Sequence, residues 1–515
     1  MFGHQFLLPV PDVDRTDFFL IFGANPVVSQ GSAMTAPGMK SRLKALRARG
    51  GRLVVVDPRR TETAALADTH LFIRPGTDGL LVAAMLRRVL DRECPTDLAP
   101  LKAALAPFTA EAVARPTGVD AATINALADD FAAAEHAVAY GRMGVSVVEF
   151  GTTTTWLIEA LNHATGNLDA IGGAMFGRPA VDLAGFARYS GQQGGFGPET
   201  EAGLPVFAGE RPVSGLAGAI ESGALRGFVT QAGNPVLSLP GGRRLDAAFK
   251  KLEYFVAFDP RINETTRHAH LILPPPRPLA RDWYGLIFNA LALRDVARYN
   301  PPVIEPDAHR PDCFELLTGV TLAALRHRGA SALPARAAVA TARRLGPRRM
   351  LDLLLRLGPH RLSLTKLAAA PRGLDLGART AGRLRKPPAM CHPRLMADLD
   401  RLAASLAAEP PPLVLIGRRT LRSMNSWLND SPRMVKGKNR CTARMHPTDA
   451  TARGLTDGQT IAITGDGGRI EVPLEVSDEV MPGVVSVPHG WGHGRAGTRQ
   501  PVASAHPGAS YNDAI

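Results

Sequence analysis

Over the first eighty residues, short uninterrupted apolar runs alternate with amphipathic stretches. "DFFLIFG" carries a strand from Phe18 to Phe22, "RLVVVD" a second and "HLFIRP" a third. Between the first two lies "GMKSRLKALRARGG", an amphipathic helix stopped by Gly50 and Gly51. "GLLVAAMLRRVLDRE" gives a further helix. Strands that are apolar at every position, separated by helices, predict a parallel sheet covered on both faces. Residues 98 to 135 are Ala-rich and read as helical, and "AVAYGRMGVSVVEFGTTTTWLIEALNHATG" runs from a strand through a Gly-containing loop into a long helix. Residues 183 to 213, rich in Gly, Gln and Pro, read as loop, and strand and helix return over 227 to 275. Residues 325 to 390 are rich in Arg, Leu and Ala with repeated Pro and Gly, an irregular or helical segment without an acidic face. From Leu413 the pattern changes to short strands with Gly-bearing turns, so an all-β domain begins near 410.

The pattern occurs twice. "FFLIFGANPVVS", a helix, "LVVVDPRRTETAALAD" and "HLFIRP" have a looser copy in "GFVTQAGNPVLS", a helix, "YFVAFDPRINETTRHAH" and "LILPP". Asn25-Pro26 matches Asn234-Pro235, Asp57-Pro58-Arg59 matches Asp259-Pro260-Arg261, and Glu62-Thr63 matches Glu264-Thr265. These polar residues fall at the carboxyl ends of strands, where open parallel sheets bind ligands. An acidic residue ending the second strand can hold ribose or base donors, and a Gly-Ala-Asn-Pro turn lets backbone amides approach a ligand. Neither copy is GxGxxG, so an ordinary dinucleotide fingerprint is not supported. Asn-Pro and Asp-Pro are also good turn formers, and geometry alone is the competing reason for keeping them. Two related half-sites imply a ligand with two similar halves, or two related ligands.

Composition narrows the class. The chain has 515 residues, 45% hydrophobic and 21% charged, enough for two to four globular domains. No apolar run reaches the ~18 residues of a membrane span, and the N-terminus lacks the basic flank and cleavage site of a signal peptide. Cys94, Cys313, Cys391 and Cys441 are scattered without a CxxC, which predicts reduced thiols in a cytoplasmic protein and no visible metal or cluster motif. The net charge of +13 is compatible with coding bias, a polyanionic ligand or an acidic partner. The Arg-rich segment has almost no aromatic residues for base stacking, which argues against nucleic acid.

The motifs "GANPVVS", "VDPRRTETAALAD", "RPGTD", "GRMGVS", "LNHATGNLDAIGGAMF", "QAGNPV", "NETTRHAHLILP", "GRRTLRSMNSWLND", "HPTDATARGLTDGQTIAITGDGGRIEVPLEVSD" and "PGVVSVPHGWGH" occur in this order. Together they resemble the molybdopterin oxidoreductases of the dimethyl sulfoxide reductase superfamily, which includes formate dehydrogenases and nitrate reductases. The resemblance implies an α/β fold: two related parallel-sheet nucleotide-binding domains plus a C-terminal β-barrel of the double-psi type. The expected boundaries are 1–175, 176–405 (with the basic segment 325–390) and 406–515. The implied cofactor is a bis-molybdopterin guanine dinucleotide carrying molybdenum or tungsten. Gly23, Ala24, Asn25, Pro26 and Ser29 would lie along one pterin dinucleotide. Asp57, Arg59 and Thr61 would meet its nucleotide end, and Asp78 of "RPGTD" its guanine edge, since a carboxylate accepts from two N–H donors. Gly233, Asn234 and Pro235 would approach the other pterin, with Asp259, Glu264 and Thr265 near its nucleotide. Arg418, Arg422, Ser423, Met424, Asn425 and Ser426 would cap the cofactor, and His489 and Asn512 would lie along it. Trp427 is expected in the core.

The family usually begins with a cluster domain carrying four cysteines and places its metal ligand ahead of the "GANP" strand. By the resemblance this chain is therefore expected to be a fragment truncated at both ends. A 4Fe-4S cluster is expected only in a preceding region, and neither Asp12 nor Asp14 is assigned as metal ligand. No catalytic residue is assigned; His163 and Arg142 lie in motif stretches without a role. His270 stands where the family commonly has Asp, and Arg178 and Arg188 sit in contexts unlike the formate dehydrogenase run. The implied function is two-electron redox on a small substrate, with an electron-transfer partner protein and inactivity as a fragment. The alternative is a non-catalytic nucleotide-binding scaffold that has lost the metal centre.

Overall fold

The structure, a computed structural model, describes residues 1–189, 194–200, 203–306, 309–384 and 386–515. Ser190 to Gln193 of the expected Gly- and Gln-rich loop lie outside the described residues. The rest of that loop contains a helix, Leu183–Tyr189, and a two-stranded hairpin of Phe196–Gly197 with Val206–Phe207.

The first sheet has four parallel strands in the order Thr69–Leu71, Arg52–Val56, Phe18–Phe22, Ala137–Gly141. Its central strands send alternate residues into two separate cores, as period-two side chains must. Phe19, Ile21, Leu53 and Val55 meet Met39, Leu43 and Leu46 of helix Met39–Ala48. Phe18, Leu20, Phe22, Val54 and Val56 meet helices Asp78–Arg92, Ala121–Ala133 and Gly151–Ala164. All five residues of Phe18–Phe22 are buried, so the continuous apolar run is a record of helices on both faces.

The second sheet is smaller, with parallel strands Leu271–Ile272, Tyr254–Phe258 and Gly227–Gln231. Leu245, Ala248 and Phe249 pack on one of its faces. The other is open at Val229, which is 43% exposed. Two-sided covering therefore holds for the first sheet and only in part for the second, where Val256 and Phe258 are buried on the face that is open at Val229.

The stretch before the expected boundary at 405 packs on the first lobe. Met390, Leu399 and Leu402 join the first lobe's core, and Met390 accepts from the Trp156 indole N–H at 2.9 Å. Residues 390–407 thus pack as a strap on the first lobe, because helix Pro393–Ala404 has one apolar stripe and that lobe supplies its cover. Within the basic segment, helix Leu333–Leu357 is broken at Gly346, and strand Leu374–Ala378 pairs antiparallel with Arg294–Ala297. The C-terminal domain is a five-stranded mixed sheet in the order Val414–Arg418, Val484–Pro488, Ala443–Met445, Gly468–Val476, Thr460–Gly465, around its own core. Among the described residues, no helix is long and apolar enough to cross a membrane. All four cysteines are free thiols.

Candidate functional site

The two repeats build one device twice. Asn25 and Asn234 hold nearly the same backbone angles (φ −124°, ψ 70° and 66°), and each is followed by a single Pro-initiated helical turn. Asn25 Nδ2 donates to Glu62 at 2.7 Å, and Thr63 Oγ1 donates to Asn25 Oδ1 at 2.7 Å while accepting from the Val27 N–H. In the second repeat Asn234 donates to Glu264 at 2.8 Å, Thr265 donates to Asn234 at 2.8 Å, and Thr265 accepts from the Val236 N–H. The recurring Asn-Pro and Glu-Thr pairs are thus the two halves of a latch that caps each turn and joins it to the loop beyond the second strand. The side chains of Asn25, Asn234, Glu264 and Thr265 are engaged in it.

A second correspondence accounts for His270. Asp68 Oδ2 accepts the Leu53 N–H at 2.9 Å, and His270 Nδ1 accepts the Phe255 N–H at 3.0 Å at the equivalent place. An N–H can only donate, so Nδ1 is the unprotonated nitrogen of this ring. His270→Asp is expected to be tolerated. His270→Leu is expected to cost about 1 kcal/mol by removing that acceptor, read as a lower thermal midpoint.

The Gly-Ala-Asn-Pro turn is set by packing. Gly23 has φ +52°, and a Cβ there would stand 2.8 Å from Cα of Gly144 in "GRMGVS", whose N–H bonds Gly23 O at 2.8 Å. Ala232 holds the matching left-handed place in the second repeat (φ +50°) and is exposed. Gly23→Ala is expected to destabilise by roughly 1–3 kcal/mol, measurable by urea unfolding. Ala24 and Pro26 are buried, and Ser29 is exposed, bonded to Asn25 O and Ser32. Gly233 and Pro235 are part-buried beside the second latch.

Both strand-ending aspartates fold their own turns: Asp57 accepts the Arg59 N–H at 2.9 Å and Asp259 the Arg261 N–H at 2.8 Å. Thr61 caps the next turn through the Ala64 N–H. Beyond that the copies diverge. Asp78, the first residue of helix Asp78–Arg92, is buried within reach of the Asp57 charge. Burial, then the Asp57 charge, push its carboxyl up to about 7; its own backbone N–H is the one group opposing this. Burial lifts Asp57 to about 6 against the pull of Arg59. Two buried carboxyls, Asp78 within reach of the Asp57 charge, bring acceptors together. Asp259 lacks such a neighbour; burial raises it, and Arg261 and Asn263 oppose the rise.

The two loops converge on the C-terminal domain. Arg59 bridges to Val480, and the Pro58 carbonyl accepts from Met481. The Ile262 carbonyl accepts from Arg499, and Arg261 pairs with Asp430 at 3.1 Å. Arg418 is buried and donates to the carbonyls of Ser486 and Thr442. Burial, with Arg444 and Arg59 nearby, lowers it to about 9. Ser423 is buried against Thr420, Ser426 is buried, and Arg422 is exposed. Met424 and Asn425 are left-handed (φ +42° and +61°), which turns Trp427 outward to 63% exposure, against the expectation of a core residue. His489 is part-buried, its N–H on Arg418 O, and burial lowers its pKa. Asn512 donates to Leu237 O at 2.6 Å, so its amide anchors the end of the chain to the second repeat.

His493 and Asn429 escaped the sequence reading. His493 is buried, with Nδ1 3.0 Å from Glu264 Oε1 and Nε2 3.0 Å from the Asn429 amide, which also donates to Gly490 O at 2.8 Å. This chain of bonds joins the second latch to the cap loop. The second histidine of "PHGWGH" was its one trace in the sequence.

Other candidates are engaged in the scaffold. Asp12 pairs with Arg15 and Asp14 with Arg42. His163 meets Asp97 at 2.8 Å, the Arg178 N–H bonds Asp295, and Arg188 bonds Ala184 O. Arg142 caps the turn with its carbonyl through Val145 and Ser146, and its charge acts on Tyr140. Among the described residues there is no group of three or more His, Cys, Asp or Glu placed to hold a metal ion.

Two latched α/β lobes closing on one mixed β domain define a duplicated scaffold whose loop ends face a common centre. Residues 2–275 match the family model for molybdopterin oxidoreductase, and residues 413–514 that for the molybdopterin dinucleotide binding domain. The chain belongs to the molybdopterin oxidoreductase family, and its cofactor class is a molybdopterin guanine dinucleotide with molybdenum or tungsten. It is 24% identical over 555 residues to a dimethyl sulfoxide/trimethylamine N-oxide reductase of Cereibacter sphaeroides, covering 93% of this chain and 66% of that one. It is 24% identical over 328 residues to the assimilatory nitrate reductase catalytic subunit of Bacillus subtilis, covering 57% and 44%. The chain thus spans between about two fifths and two thirds of the length of these relatives. Acetylene hydratase from Pelobacter acetylenicus has the same fold, with a TM-score of 0.72 at 16% identity over 98% of this chain and 75% of that one.

Proposed function

We propose that the chain is the bis-molybdopterin guanine dinucleotide-binding part of an oxidoreductase acting by two electrons on a small substrate, in the cytoplasm and with an electron-transfer partner. The observation that carries this reading is the pair of buried carboxyls, Asp57 and Asp78. Guanine presents N1–H and an exocyclic NH2 along one edge, and paired carboxylates are the acceptors that edge requires. The pair therefore suits one guanine end. Asp259, without a second carboxylate, marks the other half-site, which holds its nucleotide by different contacts. The C-terminal sheet, read as a double-psi barrel, covers the centre, and Arg418 and Arg59 offer positive charge to phosphates there. When bound, the cofactor supplies a metal centre that changes oxidation state by two electrons. The chain's own residues orient it, keep water from its nucleotide end, and hold the second lobe to the C-terminal domain through the Glu264–His493–Asn429 bonds.

Metal and nucleotide analysis of protein produced with the cofactor pathway tests this. The expected result is one molybdenum or tungsten with two guanine nucleotides released by acid. Metal-free protein without guanine nucleotide would favour a scaffold that has lost the centre.

A further inference from the structure

The cofactor reading leaves one prominent feature unused: the helical hairpin of Cys313–Arg326 and Leu333–Leu357. It lies between the regions matched by the two family models, which end at 275 and resume at 413. Among its described residues only Cys313, Ala332 and Leu355 are buried. Residues 313 to 357 contain eight arginines against Glu315 and Asp352, a net of six positive charges out of the chain's thirteen. Arg348 pairs with Asp282 and Arg356 with Asp352. Arg326, Arg328, Arg343, Arg344 and Arg349 are exposed and have no ion pair among the described residues. Leu353 and Leu357 stand among these charges, 50% and 73% exposed.

We propose that this hairpin is a docking surface for an acidic protein partner. Exposed arginines at this density repel one another, and an acidic surface relieves that repulsion. The arrangement of the apolar side chains selects the class of partner. Arg349, Leu353 and Leu357 follow one another at four-residue spacing, so basic and apolar groups share a stripe. A lipid surface calls for an apolar face separated from a basic one, and the break at Gly346 (φ +73°, ψ 163°) prevents a continuous apolar face. Nucleic acid calls for stacking groups, and the exposed apolar side chains here are aliphatic. Interleaved arginine and leucine matches the composition of a protein interface, where Arg is enriched and apolar groups form the centre. The inference stands apart from the cofactor reading, since it uses none of the latch, aspartate-pair or cap residues.

The test uses the full chain and three fluorescent probes at physiological salt: an acidic amphipathic peptide repeating Glu-Leu-Glu-Glu-Leu, a 30-base-pair DNA duplex, and vesicles of phosphatidylglycerol and phosphatidylcholine. One variant carries Arg326→Ser, Arg328→Ser, Arg343→Ser, Arg344→Ser and Arg349→Ser. A second carries Leu353→Ser and Leu357→Ser. All seven side chains are exposed, and an unchanged thermal midpoint confirms that each variant folds. The peptide is expected to bind the parent chain best of the three probes, and each variant is expected to weaken it about tenfold or more. Tighter binding of DNA or vesicles than of the peptide overturns the proposal in favour of that class. Peptide binding that neither variant alters shows that the surface lies elsewhere and also overturns it.

Discussion

Asp78→Asn is expected to weaken guanine nucleotide binding by about 30- to 160-fold, roughly 2–3 kcal/mol, because an amide offers one acceptor where paired donors need two. The same substitution changes the pH dependence of the free protein. Asp57 and Asp78 titrate near 6 and 7 in the fold, against an ordinary value of 3.8. Between about pH 4 and 7 the folded chain holds protons that the unfolded chain has released, so these two groups lower stability as pH rises through that window. The loss is on the order of a few kcal/mol. Nucleotide binding runs the other way, because the donors of guanine need ionised carboxylates, and affinity rises from about pH 6 to 8. Urea unfolding of the metal-free protein and calorimetric titration with guanosine diphosphate, each at pH 5 and 8, measure both slopes. Asp78→Asn should flatten most of each. Undiminished nucleotide affinity in that variant would remove Asp78 from the site.

Glu264→Leu is expected to cost roughly 3–5 kcal/mol in unfolding free energy. It removes a buried anion that accepts from Asn234 and His493 at once, and leaves both donors facing an apolar side chain. The matching residue of the first repeat is a control within the same molecule. Glu62 accepts from Asn25 in the same latch but is exposed, so water replaces it and Glu62→Leu should have a far smaller effect. The Glu264→Leu, His493→Leu double variant should lose less than the sum of its parts, since each single change orphans the other's partner. Similar losses at Glu62 and Glu264 would contradict the unequal burial of the two latches.

Much of the fold was legible in local pattern. Phe18–Phe22 and Leu53–Val56 are apolar at every position because both faces of their sheet are covered, and a run of that kind announces the covering without revealing which helices provide it. The matching Asn-Pro, Asp-Pro-Arg and Glu-Thr pairs announced a duplication. What they do was not legible, because a hydrogen bond between residues about thirty positions apart leaves no spacing signature. Asn25 and Glu62 look like ligand contacts in the sequence and form a latch in the structure. The helix Pro393–Ala404 displays one apolar stripe, yet the stripe does not say that the first lobe covers it.

The sequence by itself determined that the chain is a duplicated α/β protein with a β domain after it, and its motifs in order led to the molybdopterin oxidoreductases. Periodicity, turn chemistry and recurrence are local properties, and they survive in a string of letters. Only the tertiary structure decided that Asp78 is buried within reach of the Asp57 charge, that His493 and Asn429 join the second repeat to the cap, and that Trp427 points outward. Each of these depends on which surfaces meet and how far water is excluded. A carboxyl near its ordinary pKa and one pushed up to about 7 are the same letter, and burial beside a like charge separates them.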